Sequence, residues 1–292
     1  MRPIVIFSDS TCDLGEELIK KNDIKIVYLG VSFDKEEKIY KDGLDIDGEA
    51  IYKKVEGGSS LPTTSAPNIS DYIEAFKVEI EKGNDIFYVG IGACLSSSLR
   101  NAQLAAEEFE KGRILTSDSQ NLSTGVGLLV LKACKFRDEG CSLEEIKEKV
   151  DALVPLVSAK FCIDKLDYMN KGGRCSSFTK IIAHLLRMHP ILKMINNKLV
   201  VYKMPRGKYK VALDAQINEF LEDYDNIDKD CVFITHSGRM DGDDQYVIEK
   251  IKPLVSEDAL HVTVAGATIS SHCGPKTLGI LYILTKPRQT KK

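Results

Sequence analysis

The strongest constraint on this fold is the alternation of short apolar runs with amphipathic segments through the first half of the chain. Residues 3–8, PIVIFS, form an apolar run of strand length that stops at Asp9-Ser10-Thr11. A helical pattern follows over 14–21. Residues 24–33, IKIVYLGVSF, are strand-like, with a bend expected at Gly30. Tyr72, Ile73, Phe76 and Ile80 repeat at helical spacing within 70–82. Further strands are expected over 85–92 and 113–119, with helices over 96–109 and 122–137. Ser142 and Glu145 make a capping box that opens a helix over 143–153. Strands that alternate with helices predict an open, mostly parallel sheet flanked by helices.

The pattern changes after Pro155. A short strand is expected over 160–163 and a helical turn over 165–170. An apolar helix is expected over 181–187. Residues 191–204 form two strands joined at Asn196-Asn197, a hairpin signal. Helices over 209–224 and 247–254 alternate with strands over 231–237, 260–269 and 278–284. The 292 residues suffice for two α/β domains with separate cores. The expected division is 1–157, with a mostly parallel sheet, and 158–292, with a mixed α/β sheet.

No apolar run approaches the ~20 residues of a membrane span, and the start, MRPIVIFSDST, turns polar too soon for a signal peptide. A cytoplasmic location is expected. The eight cysteines are scattered, without C-x-x-C, so reduced structural thiols are expected and a metal site is not. The net charge of −3 is unevenly spread. Residues 160–210 hold twelve Lys/Arg against Asp164 and Asp167, a net +10, which leaves −13 elsewhere. Such a segment is either a solvated face or the contact for an anionic partner.

Three hydroxyl-rich turns follow or precede the expected elements: Asp9-Ser10-Thr11, Pro62-Thr63-Thr64-Ser65-Ala66-Pro67, and Cys94-Leu95-Ser96-Ser97-Ser98. Ligands of open α/β sheets sit beyond the carboxyl ends of the strands, where helix N-termini favour anions. For any one such Ser or Thr helix capping is the better reading, but three consecutive serines exceed what one cap requires, and two such turns in one domain suit an oxyanion pocket. Gly90-Ile91-Gly92 fails as a dinucleotide fingerprint, because Leu95 stands at the third glycine position. No G-x-S-x-G elbow or P-loop occurs. His272 lies in Ser270-Ser271-His272-Cys273-Gly274-Pro275, read as a small polar turn between strands, where an imidazole can donate to a carboxylate. Lys171-Gly172-Gly173-Arg174 and Pro205-Arg206-Gly207-Lys208 place cations beside flexible backbone, either as phosphate-holding loops or as solvated turns.

Taken in order, these pieces resemble the DegV family, whose members include the fatty-acid-binding subunit of bacterial fatty acid kinase. The resemblance runs nearly end to end. It rests on Asp9-Ser10-Thr11, Asp42-Gly43, Thr64-Ser65-Ala66-Pro67, Leu95-Ser96, Asp118-Ser119, Gly172-Gly173-Arg174, Pro190-Ile191-Leu192, Arg206-Gly207, His272-x-Gly274-Pro275 and Gly279. It implies two α/β domains with a ligand tunnel near their interface that buries one long-chain fatty acid. The carboxylate is then met by Thr64, Ser65, Ser96, Ser97 and His272, while Arg174 and Arg206 serve partner or phosphate contact.

The resemblance also implies a carrier with no catalytic residue and no cofactor. A separate ATP-dependent kinase subunit forms the acyl phosphate, which feeds phospholipid synthesis. Transient membrane contact for lipid exchange is expected, and stable nucleic-acid binding is not. The chain departs from the family at Gly92-Ala93-Cys94-Leu95-Ser96-Ser97-Ser98, where Ser-Ser-Gly/Lys-Leu-Ser-Gly-Thr is common, and at Ala66, Cys273 and Lys276. Two alternatives stand beside this reading. One is a serine/histidine-dependent acyl or phosphoryl transferase using Ser96 or Ser98 with His272. The other is nucleic-acid or regulatory binding through 160–210.

Overall fold

The computed structural model describes residues 2–175 and 188–288, and the helix expected over 181–187, with His184, lies outside them. The first apolar run is β1 (Ile4–Asp9), followed by α1 (Gly15–Lys21) and β2 (Lys25–Val27). With β6 (Asp85–Gly90) and β7 (Ile114–Asp118) these strands make a four-stranded parallel sheet in the order β2-β1-β6-β7.

The stretch 24–33 is not one strand. It breaks before Gly30, and β3 (Gly30–Ser32) joins β4 (Ile39–Lys41) and β5 (Thr63–Ser65) in a separate antiparallel sheet. Gly30 is needed at the break, since a Cβ there would sit 2.5 Å from Ser65 Oγ on the facing strand. The segment Thr63–Ser65 is therefore a strand and not a turn. The helix after it, α3 (Ile69–Glu81), begins at Asn68, whose N–H donates to Asp71 at 2.7 Å. Between β4 and β5 lies α2 (Gly48–Glu56), which the apolar pattern did not announce.

The helices α4 (Ser98–Ala106), α5 (Thr124–Asp138) and α6 (Leu143–Leu153) complete the first half. Ser142 and Glu145 close the expected capping box on α6, with bonds of 3.2 and 2.7 Å. Up to Cys134 α5 is apolar on nearly every side, as a helix must be where it has no solvent face, and its charged last turn, 135–138, reaches the surface. It packs against β1 and β6 on one side and against β8 (Val157–Cys162), β11 (Ile227–His236) and β13 (Leu278–Leu284) on the other. Val126, Leu129, Val130 and Ala133 of α5 share one core with Ile6, Phe87, Phe233 and Leu281.

The second half is a six-stranded mixed sheet in the order β10-β9-β8-β13-β11-β12. β9 (Ile191–Ile195) and β10 (Lys198–Lys203) form the expected hairpin, with Asn196 and Asn197 both left-handed at φ 49° and 57°. α7 (Leu166–Gly172), α8 (Tyr209–Asp223) and α9 (Asp243–Ile251) cover this sheet.

The strand expected over 260–269 is shorter than that. It ends as β12 (Leu260–Val264), and the chain then turns into α10 (Ala267–Cys273). His272 is thus on a helix, not in a turn. The cause lies far away in sequence: Asp13 Oδ1 accepts from Gly266 N at 2.8 Å, and Asp42 Oδ1 accepts from Ala267 N at 2.6 Å. Two distant carboxylates do the work of an N-cap. The α2 unit is tied to the second half by Tyr52, which donates to Ser237 O at 2.9 Å, and by Arg239, which grips Glu49 and Glu56. Among the described residues no helix is long and apolar enough to cross a membrane.

Candidate functional site

A cavity of about 670 Å³ opens where the chain leaves β6, between the two large sheets. This is the strand-end position favoured for ligands in α/β folds. Its inner walls are apolar: Ile91, Leu95, Leu122, Phe161, Leu199 and Ile269 belong to one buried cluster. A narrow recess of about 20 Å³ shares Leu122, Phe161, Ile269 and Cys273 with it and continues toward Thr235 and Leu281. The cavity rim is polar, with Thr64, Ser65, Ser96, Ser97, Arg100, Arg174 and His272.

The local sequence builds this rim. Asp9 is fully buried at the end of β1; its Oδ2 accepts from Tyr88 OH and from Ile91 N, both at 2.9 Å, and fixes the start of the serine loop. Asp118 Oδ1 accepts from Ala93 N at 3.1 Å and holds the loop's other side. The Gly90-Ile91-Gly92 run has a packing cause. A side chain at Gly90 would collide with Asp9 and Tyr88, and one at Gly92 would press on the backbone of Gln120 and Asn121 at 3.1 Å.

The expected residues separate into groups. Thr64 Oγ1 and His272 Nε2 lie 2.8 Å apart, although 208 residues separate them in sequence. Ser65 also lines the cavity, but strand alternation turns it to the other face of β5, against Gly30. Ser96 Oγ pairs with Ser98 Oγ at 3.0 Å and accepts from Ser98 N at 3.2 Å. Ser97 is exposed at the start of α4 and makes no capping bond with its side chain. Arg174 donates to Gly172 O at 2.8 Å and stands at the mouth.

Arg206 is exposed, bridges to Met188, and does not line the cavity. The first hydroxyl turn is also absent from the cavity wall, because its hydroxyls are used internally. Ser10 donates to Asp42 at 2.9 Å and Thr11 to Asp9. Arg100, one turn into α4, was missed in the sequence, where nothing distinguishes it from other surface cations.

Burial, and secondarily the charge of Arg174, lowers the His272 pKa to about 4, so the imidazole is neutral near pH 7. Nδ1 is buried without a hydrogen-bond partner among the described residues. An N–H left unpaired there costs more than a bare lone pair, so the proton belongs on Nε2. Nε2–H then donates to Thr64 Oγ1, and the Thr64 O–H is free to donate into the cavity. His272 engages Thr64 and not a serine, so neither Ser96 nor Ser98 has an imidazole base among the described residues. Burial also raises the carboxyl pKa values of Asp9, Asp13 and Asp42.

The basic segment is not a uniform cationic stripe. Lys160 and Lys203 both bind Glu219 of α8, the latter at 2.5 Å. Among the described residues no group of His, Cys, Asp and Glu is arranged to hold a metal ion.

Two α/β sheets that share a core helix and enclose an apolar slot with a hydroxyl-lined mouth define a class of cavity-bearing α/β proteins. The chain belongs to the DegV family: the family's model, described as an uncharacterised protein family, matches residues 3–285. It is 30% identical over 290 residues to a DegV domain-containing protein of Caldanaerobacter subterraneus subsp. tengcongensis, covering 97% of this chain and 99% of that one. A relative from Clostridium acetobutylicum is 29% identical over 283 residues, with the same coverage.

Among solved structures, a fatty-acid-binding DegV family protein of Thermus thermophilus superposes with a TM-score of 0.87 at 28% identity, covering 97% of this chain and 100% of that one. DegV of Bacillus subtilis, a fatty acid binding protein, gives 0.82 at 27%, also covering 97% and 100%. A stearic-acid-binding protein of Eubacterium ventriosum gives 0.82 at 26%, covering 98% and 99%.

Proposed function

We propose that this chain binds one long-chain fatty acid, with its tail in the apolar cavity and its carboxylate at the Thr64–His272 rim, and presents that carboxylate to an ATP-dependent kinase. The observation that carries the reading is the Thr64–His272 pair at 2.8 Å on the edge of a cavity whose inner walls are apolar. The solved relatives named above as fatty acid binding proteins support it. A tail of about fifteen methylenes, at ~0.8 kcal/mol each, gains on the order of 12 kcal/mol on burial. Lost freedom reduces that sum, yet the tail still dominates affinity.

The carboxylate then needs donors. Thr64 O–H, oriented by His272, supplies one. Ser96 supplies another once its bond to Ser98 is exchanged, and Ser97 extends the rim, while the Ser65 hydroxyl faces Gly30 instead. Neutral donors hold the group without neutralising it, so an oxygen lone pair stays available. In the presented complex that oxygen attacks the γ-phosphorus of ATP; the new O–P bond forms as the bond to ADP breaks. Arg174 at the mouth balances the incoming phosphate charge, and Arg206 contacts the kinase. In this reading residues 1–157 supply most of the rim, both halves supply the tail wall, and the chain itself performs no chemistry.

Mass spectrometry of an organic extract of the purified protein tests this. One long-chain acid per chain is expected. A stripped protein that takes up no acid, or one that hydrolyses acyl esters unaided, refutes the reading.

A further inference from the structure

Ser10 and Asp42 stand out in the sequence, yet neither lines the cavity. Asp42 is 1% exposed and follows directly on β4. Its N–H donates to Leu29 O at 2.9 Å, its Oδ1 accepts from Ala267 N at 2.6 Å, and its Oδ2 accepts from Ser10 Oγ at 2.9 Å. Ser10 Oγ in turn accepts from Leu29 N at 3.1 Å.

These bonds join the two elements that carry the rim pair. Thr64 lies on β5, in the same small sheet as β4, where Val31 of β3 stands between Tyr40 and Thr64. His272 lies on α10, five residues beyond Ala267 and so ~7.5 Å along the axis. Asp42 thus ties the sheet of Thr64 to the first turn of the helix of His272. Asp13 holds the preceding N–H, that of Gly266, but its other oxygen accepts from Ser123 Oγ at 2.5 Å, so it ties the helix to the start of α5 instead.

The flanks of α10 set its distance from its neighbours and do little to fix its position along the axis. Two of the facing residues are glycines: a Cβ on Gly48 would stand 2.5 Å from Ser270 Oγ, and one on Gly172 2.5 Å from His272 Nδ1. Glycines let the helices come close but offer no side chain to interlock, so sliding is opposed mainly by the bonds at the N-terminal end. The Thr64–His272 bond tolerates little sliding. It measures 2.8 Å, and such bonds weaken beyond ~3.2 Å.

We propose that Asp42, held by Ser10, is a positioning residue for carboxylate binding: it sets the register of α10 against β5, and with it the Thr64–His272 bond that aims the Thr64 hydroxyl. This rests on the reading of that pair as the carboxylate rim. Asp42 itself does not reach the ligand, and acts through the two residues that do.

Palmitate and hexadecanol share a tail and differ in the head, so the ratio of their affinities, by displacement of a fluorescent fatty acid, isolates the carboxylate. Asp42→Ala should lower that ratio roughly tenfold with hexadecanol affinity held. Asp42→Asn, which keeps an oxygen for Ala267 N, should restore most of it. Ser10→Ala, which frees Oδ2, should lower the ratio as well, and it decides the matter if Asp42→Ala does not fold. In the Asp42→Ala background Thr64→Val should add little, because both act on one bond. The imidazole nitrogen resonances of His272, assigned by their loss in His272→Gln, should shift in Asp42→Ala and Ser10→Ala without any ligand present. An unchanged ratio in either variant, equal losses for palmitate and hexadecanol, or additive losses with Thr64→Val would each overturn the role of Asp42. A parent protein that binds neither probe refutes the fatty acid reading instead, and the His272 resonances then decide the positioning role by themselves: unmoved, they overturn it.

Discussion

Gly172→Ala perturbs the rim without removing a single polar atom. Gly172 is the last residue of α7, and an added Cβ would stand 2.5 Å from His272 Nδ1 and 3.3 Å from Cγ. Carbon contacts are comfortable near ~3.5 Å, so the ring must shift by about 1 Å. A displacement of that size along the bond takes the 2.8 Å Thr64–His272 contact out of its working range. Thr64 O–H then loses its orientation, and the bound carboxylate loses a charge-assisted bond of roughly 1.5–3 kcal/mol. Affinity for a long-chain acid should fall roughly 10- to 100-fold. Helix stability should hold, because Ala is the better helix former.

Displacement of a fluorescent fatty acid gives the affinity, and thermal melting gives the stability. Gly173→Ala is the control: Gly173 is left-handed at φ 65° and has only Lys171 O within 4 Å, at 3.9 Å. It should cost about 1 kcal/mol of stability through backbone strain, with little change in affinity. If Gly172→Ala binds the acid as tightly as the parent, the imidazole does not orient the donor and the rim geometry argued above is wrong.

Three further outcomes are expected. Thr64→Val keeps the side-chain shape and removes the hydroxyl; acid affinity should fall at least tenfold while the melting temperature barely moves, which the same two assays report. His272 has a folded pKa of about 4, below its unfolded value of 6.5, so its contribution to stability is full above pH 6.5 and is lost as pH falls toward 4. That loss is on the order of 3 kcal/mol; denaturant melts across this window should flatten in His272→Gln. The raised carboxyls of Asp9, Asp13 and Asp42 act with opposite sign, adding stability as pH falls toward 3.8, so the comparison must be made between parent and variant. Phe161→Leu widens the junction between the cavity and its recess, and extracted acids should shift to longer chains by mass spectrometry.

Much of the fold was legible because local rules and global packing agree. The apolar runs of β1, β6, β7 and β13 are buried strands. The Asn196-Asn197 turn has the left-handed pair that its residue types prefer, and Ser142 with Glu145 caps α6. The failures share one cause, dependence on distant partners. α10 is short, and its first N–H groups are satisfied by Asp13 and Asp42, so no local signal marks its start. β3, β4 and β5 have three residues each, too few for a period to show. In the site, Thr64 and His272 were read separately and meet at one bond, while Ser10 and Thr11 looked equally suitable but spend their hydroxyls on neighbouring carboxylates. Arg206 was grouped with Arg174 on residue type and glycine context alone, and the fold puts only Arg174 at the mouth.

α5 is sealed between the two large sheets, and this restricts how any guest enters. Spreading the sheets like covers of a book would strip that helix bare on both sides, exposing an apolar seam to which both halves contribute. Admission must instead proceed by small adjustments of the lip, with the spine closed throughout. The same seam makes the halves poor candidates for separate expression, since each would be left with a raw face that only the other can cover.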